Sequence, residues 1–384
     1  MNVPSTVTDL TQVPPASLPA GGVRRLILLC PDLHEVGGIG MVSRLALRAL
    51  QSYGTPTGCQ GQVWSYGPPA SDNSVPQVPG WTLRYAHGSK ATAAWWGLKA
   101  GLGDARHTLV FSTHLHLAPL AVPLVKRGAR LAVFLHGSEA WEPLTEMRAR
   151  ALEHSGLVMA NSRHTIHHFK RVNPDFADAA IRICPLGVPP AQSPVPGHSP
   201  RGPYALIVSR IVSAERHKGH DLLLELWPLI RQRFGNARLV IAGDGDDRRR
   251  LEEKCVNLGM RDAVDFLGRV DEGTLSRLYA NCAFFVMPSS RLEGFGLAFL
   301  EAMRAGKACI AGEGAAEEVI ESALTGLIVA DQNREALLEA ITRLFNDPEL
   351  CARMGRAGRE RYLQHFTEEH FRVRLLAALG LAPV

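Results

Sequence analysis

Ser289-Ser290-Arg291-Leu292-Glu293-Gly294-Phe295-Gly296-Leu297-Ala298-Phe299-Leu300-Glu301-Ala302-Met303-Arg304-Ala305-Gly306 follows an apolar run, Ala283 to Met287, that reads as a buried strand. Pro288 and the two serines break that strand. From Leu297 the apolar residues fall at helical spacing, and Gly306 is a C-terminal stop. The stretch is therefore strand, polar loop, helix start. A helix start offers free N–H groups and the positive end of a dipole to an anion. Two carboxylates flank the turn: Glu293 in the loop, and Glu301 about one helical turn in. A carboxylate so placed can accept hydrogen bonds from vicinal hydroxyls. A ligand with a phosphate, a ribose and a sugar would satisfy all three features.

Strand–helix alternation extends outward in both directions. Before the turn, Leu26–Cys30, Gln62–Tyr66, Leu109–Ser112, Arg130–Leu135, Leu157–Ala160 and Ile181–Cys184 read as strands. Helical patterns over Met41–Leu50, Ala94–Leu102, Leu117–Lys126, Trp141–His154 and Arg163–Val172 separate them. The second half repeats the scheme with strands Tyr204–Ser209, Ala237–Ala242, Val264–Leu267 and Ala308–Ala311, and is helical from Arg334 onward. Such alternation predicts parallel sheets covered on both faces. The proline-dense stretch from Pro189 to Pro200 cannot enter a sheet or helix interior and marks a domain boundary.

The phrase Glu293-Gly294-Phe295-Gly296 followed by Glu301-Ala302-Met303 resembles the Glu-x7-Glu signature of the retaining glycosyltransferases of group 1, family 4. The resemblance runs from about Tyr204 to Val329 and, more weakly, from Arg24 to Val188. It implies GT-B architecture: α/β, two Rossmann-like doubly wound domains facing across a cleft, with a C-terminal helix crossing back to the first. The expected layout is a tail over 1–22, an acceptor domain over 23–190, a linker over 191–203, a donor domain over 204–365 and the returning helix over 366–384.

In doubly wound sheets ligands bind beyond the carboxyl ends of the strands. Arg210 and Lys218 follow one such end and read as a clamp for a diphosphate, a planar fork beside a point charge. The resemblance gives them the donor pyrophosphate and the leaving group, with Arg216 a rival for the second role. It gives Glu301 the ribose, Glu293 the sugar hydroxyls, and Gly294, Phe295, Gly296 and Leu297 the phosphate end. It also puts the nucleobase against the backbone at Arg269 and Val270. In the first half, Gly38 and Gly40 belong to a strand–glycine–helix unit that lets backbone approach phosphate. The resemblance has that loop close over the diphosphate. His136 ends a strand and reads either as a donor to the sugar or as a turn histidine bonded to local backbone. His114 and His116 are expected to be structural. The Gly243-Asp244-Gly245-Asp246-Asp247 run reads as helix caps and first-turn anions, not as a metal site.

Composition bounds the rest. The chain has 384 residues, 46% of them hydrophobic, with net charge +5 and seven cysteines without a C-x-x-C pair. It has no apolar run long enough for a membrane helix and no secretory leader pattern. The cysteines are expected to be reduced thiols of a cytosolic protein. No cofactor and no metal are expected. The expected partners are a nucleotide diphospho-sugar, GDP-mannose or a UDP-sugar, and a sugar or lipid-linked acceptor. Nucleic acid is excluded for want of a basic stripe or zinc spacing. Lys126, Arg127 and Arg130 form a basic cluster that reads first as an ordinary solvated face and otherwise as a contact with anionic lipid on the inner face of the plasma membrane, for an enzyme whose acceptor is membrane-bound. The alternatives are a nucleotide-sugar 2-epimerase of the same architecture and an inactive sugar-nucleotide-binding module.

Overall fold

The computed structural model describes residues 22–35, 37–69, 80–195, 200, 202–289 and 292–381. The Met1–Ala20 tail, Val36, Ser290, Arg291 and part of the proline-rich stretch lie outside the described residues. The chain divides into two compact units, Met1–Leu186 with Glu368–Val384, and Gly187–Thr367.

The first unit is built on a parallel sheet of β1 (Arg25–Cys30), β2 (Gln60–Ser65), β3 (Trp81–Tyr85), β4 (Thr108–Ser112), β5 (Arg130–Leu135), β6 (Leu157–Ala160) and β7 (Ile181–Ile183), in the order β3-β2-β1-β4-β5-β6-β7. The second has β8 (Tyr204–Val208), β9 (Arg238–Ala242), β10 (Val264–Gly268), β11 (Phe284–Met287), β12 (Cys309–Gly312) and β13 (Gly326–Val329), in the order β10-β9-β8-β11-β12-β13. Strands buried on both faces read as unbroken apolar runs, and Leu26 to Cys30 and Phe284 to Met287 are buried throughout. Each sheet reverses its winding once, between β1 and β4 and between β8 and β11. The carboxyl ends at these reversals are where such folds bind ligands.

Three expectations change. Trp81–Tyr85 forms β3, which the sequence did not announce: it is an edge strand, buried only at Trp81. The Leu117–Lys126 helix is instead a 3-10 segment, Leu115–Ala121, running into a short helix, Val122–Val125. Pro119 and Pro123 there remove N–H donors. The Trp141–His154 helix begins only at Glu146, beyond Pro143.

Residues 187–195 belong to the second unit. Arg304 Nη1 donates to the Pro189 carbonyl (2.6 Å), Tyr362 Oη to Val188 (3.2 Å) and Arg277 Nη1 to Val195 (2.8 Å). The Glu368–Leu379 helix belongs to the first unit and packs against the Gly38–Thr57 helix. Arg48 pairs with Glu368 there. Phe371, fully buried, meets Phe134 of β5 edge-on at 6.5 Å. All seven cysteines are buried and unpaired. Phe371→Ala should therefore cost the first unit about 3–5 kcal/mol. Calorimetry should show that unit's transition lowered and the second unit's transition unmoved; a common shift of both would contradict the division.

Candidate active site

In the second unit the residues after β8 and β11 meet across the winding reversal. β11 ends at Met287, and the chain turns through Pro288 and Ser289 to Glu293. Gly296, at φ +89°, precedes the Leu297–Arg304 helix, whose start carries no side-chain cap. A Cβ at Gly296 would overlap the Phe299 ring, so glycine is required by backbone angle and by space. The loop after β8 enters a 3-10 turn, Ser213–Lys218, ended by Gly219 at φ +90°. A Cβ on Gly219 would lie 2.7 Å from Pro288 Cγ. This close approach seats Lys218 beside the β11 loop.

Lys218 Nζ donates to Glu293 Oε2, and the two side chains are only 15% and 14% exposed. Burial alone would raise the Glu293 carboxyl. The Lys218 charge and hydrogen bond, His217 and the Phe295 N–H outweigh it and hold the group below the ordinary 4.5. Glu293 is thus kept ionised. Arg216 does not share this place: its guanidinium grips both oxygens of Asp247, at 3.1 and 2.8 Å. Arg210 pairs with Glu215 and stays more than half exposed.

Glu301 lies on the same helix as the uncapped start and is buried. Its Oε2 accepts from Tyr279 Oη at 2.9 Å, a partner that the sequence did not suggest. Tyr279 is a buried aromatic on the Glu272–Asn281 helix, where its spacing matches any core position. Burial raises the Glu301 carboxyl above 4.5, and Arg304 and the Tyr279 hydrogen bond pull it only partly back. The helix is backed by Pro348–His365, where a Cβ on Gly355 would overlap the Gly306 carbonyl.

The remaining positions fall at carboxyl strand ends. Gly268 closes β10 and its carbonyl accepts from Gly243 N at 2.9 Å, which sets Arg269, exposed, and Val270, half-buried, just beyond β9 and β10. The aspartate run corrects the capping expectation. Asp247 occupies the N-cap position of the Arg248–Asn257 helix but caps no N–H; it binds Arg216 and Arg250, and burial in this cage of charges replaces capping. Asp246 binds Ser213 N and Oγ. Among the described residues no three His, Cys, Asp or Glu side chains group together as metal ligands would.

In the first unit, Gly38 and Gly40 open the Gly38–Thr57 helix, which no side chain caps. A Cβ on Gly40 would overlap the Glu35 carbonyl. Arg44 Nη1 donates to the Leu33 (2.9 Å) and Glu35 (3.1 Å) carbonyls and stiffens that turn. His136 follows β5, and its Nε2 donates to the Thr113 carbonyl at 2.5 Å. A carbonyl only accepts, so the neutral ring has its proton on Nε2 and offers Nδ1 as an acceptor. The ring is thus anchored to backbone, and in its neutral form it has no second N–H to donate. His114 is buried and pulled down to about 4 by that burial. Its Nδ1 accepts from His116 N at 3.3 Å, a structural use.

Residues 190–361 match the model of the glycosyl transferases group 1. The match spans β8 to β13 and holds Lys218, Glu293 and Glu301. A GDP-mannose-dependent alpha-(1-6)-phosphatidylinositol monomannoside mannosyltransferase of Mycobacterium tuberculosis is 35% identical over 165 residues, 41% of this chain and 42% of that protein. The match thus spans about two-fifths of that relative. The like-named enzyme of Mycolicibacterium smegmatis is 29% identical over 267 residues, 63% of this chain and 69% of its own length. The fold is that of sucrose-phosphate synthase from Thermosynechococcus elongatus, with TM-score 0.76, 21% identity and coverage of 92% of this chain and 97% of that one. HepE of Anabaena, solved with UDP, gives TM-score 0.70 at 18% identity over 93% of this chain and all of its own. These are GT-B glycosyltransferase folds, as the sequence led us to expect.

Glu293 and Glu301 should respond oppositely to acid. Folded protein holds the Glu301 proton to higher pH than unfolded chain does. Its contribution to stability therefore falls as pH rises from 4.5 through the raised value. Glu293 contributes stability above 4.5 that is lost as pH falls through its lowered value. Glu301→Gln keeps an acceptor for Tyr279 and removes the charge. It should melt above wild type at pH 7.5, with the gap closing towards pH 4.5; melting curves at several pH values check this.

Proposed function

We propose that the chain transfers a hexose, with retention at the anomeric carbon and without a metal, from a nucleotide diphospho-sugar to a sugar or lipid-linked acceptor. GDP-mannose is the favoured donor, because the mycobacterial relatives are named for it. One observation carries the reading: Lys218 and Glu293 are paired at the uncapped start of the Leu297–Arg304 helix.

Departure of the nucleotide puts negative charge on the β-phosphate. Lys218, Arg210 and the N–H groups at Leu297 and beyond meet that charge, and donors fixed in advance stabilise it most as it forms. A diphosphate competes with Glu293 for Lys218. Once released from part of that pairing, Glu293 faces the sugar, orients its hydroxyls and favours the cationic character that develops at the anomeric carbon. Glu301 accepts from the ribose hydroxyls with the lone pairs that Tyr279 leaves open. The acceptor attacks from the face that the leaving group vacates. His136 anchors the sugar as a hydrogen-bond acceptor, and Arg269 and Val270 present backbone to the base.

Titration calorimetry with GDP, UDP and ADP should give the tightest binding for GDP, and incubation with GDP-mannose and a mannoside acceptor should give an α-linked product by NMR. Conversion of the donor to an epimer without acceptor would replace this reading with the epimerase. Glu301→Ala should weaken nucleotide binding by about 1.5–3 kcal/mol. Lys218→Ala should lower kcat by about 10²-fold with a smaller change in KM. An Arg216→Ala variant should keep near-normal turnover; loss there with Lys218→Ala active would exchange their roles.

A further inference from the structure

The first unit carries an apolar face that the transfer chemistry does not use. The Lys90–Ala100 helix reads Lys-Ala-Thr-Ala-Ala-Trp-Trp-Gly-Leu-Lys-Ala, apolar apart from Thr92 and a lysine near each end. Its inner face is fixed by small residues: a Cβ at Gly97 would overlap the Leu120 carbonyl, and one at Gly101 would sit 2.7 Å from Pro123 Cβ. Its outer face is bare. Trp95 is 60% exposed, Leu98 57% and Leu102, just past the end, 77%. These fall at i, i+3 and i+7 and form one stripe. Scattered exposed apolar residues are ordinary, but a large contiguous stripe marks an interaction site.

The surroundings of the stripe are cationic. Lys90, Lys99, Lys126 and Arg127 are all exposed. Arg127 Nε donates to the Gly101 carbonyl at 3.1 Å, which brings the Lys126–Arg127 turn beside Leu102. The single acid between residues 80 and 135 is Asp104, and it is already paired with Arg106 at 3.0 Å. Arg130 of the expected basic cluster is not part of this rim: it is half-buried and donates to the Leu379 carbonyl at 3.2 Å.

We propose that the Lys90–Ala100 helix and the turn after it dock the first unit onto an anionic lipid surface. Tryptophan and leucine enter the headgroup–acyl boundary while lysine and arginine stay at the phosphates. Protein interfaces deplete lysine, so a lysine-rich rim around a tryptophan favours lipid over a protein partner. No described helix is long and apolar enough to cross a membrane, which fits a helix lying in the surface plane. The proposal rests on the lipid-linked acceptor of the reading above, and vesicle binding tests it without any transfer.

The test is co-sedimentation of the full chain with phosphatidylcholine vesicles, with and without phosphatidylglycerol. The expected result is binding only to the anionic vesicles, weakened by added salt. Trp95→Ala/Leu102→Ala should reduce it at least tenfold. Lys126→Glu and Arg127→Glu should each reduce it by fivefold or more, about 1 kcal/mol for each lost cation. The Trp95→Ala/Leu102→Ala and Lys126→Glu variants should keep wild-type melting, and all the variants should keep transfer to a soluble mannoside. Equal binding by wild type and the apolar double variant would overturn the proposal. So would no vesicle binding together with a concentration-dependent dimer that the double variant abolishes. Either result leaves the transferase reading standing, whereas absent transfer with intact vesicle binding would sink that reading alone.

Discussion

An ammonium held against a carboxylate, both largely shielded from water, is the constraint on which the second unit's site depends. Burial beside Phe295 and the β11 loop works against the Glu293 charge, because removing a single ion from water costs several kcal/mol. Together the two groups are tolerated, and the Lys218 charge and hydrogen bond hold the Glu293 carboxyl below its ordinary value against the effect of burial. The parallel sheet makes the pairing possible. Because the winding reverses between β8 and β11, two loops far apart in sequence leave adjacent strand ends side by side. The glycines at 219 and 296 then let backbone pass where a side chain would not fit.

The second carboxylate is stabilised by other means. Glu301 sits inside the packed face of its helix and has a phenol, not a cation, as its direct partner. Burial works against its charge, so it is an acceptor kept dry and oriented at some expense in stability. Two acids on one short stretch thus occupy different electrostatic environments: one is held charged by its neighbour, the other is raised by lack of water. That difference suits the two roles proposed for them, orienting the sugar and accepting from the ribose hydroxyls.

Much of this was legible in the chain. The largely buried strands β5 and β6, and the Arg163–Val172 helix with Ser162 at its cap, have the bounds that the sequence predicts. The Glu293–Glu301 spacing located the turn and its helix. What stayed hidden depends on contacts across long sequence distance. Tyr279 looks like any core aromatic. The grip of Asp247 on Arg216 joins residues from two loops, and a run of aspartates before a helix suggests caps whether or not they cap. β3 is an edge strand and lacks the apolar run that announces a central one. Prolines 119 and 143 were visible, but the apolar spacing around them outweighed their effect in the reading.

The Glu368–Leu379 helix makes the second unit an insertion within the first. During synthesis this inverts the usual order of completion. The Gly187–Thr367 unit has all of its strands before residues 368–379 leave the ribosome, while the earlier-made sheet still lacks Phe371, Leu375 and Leu376 from its core. The nascent first sheet therefore waits with an open apolar flank through about half of translation. Its exposure to chaperones, and to misassembly, is set by the length of the domain made in between.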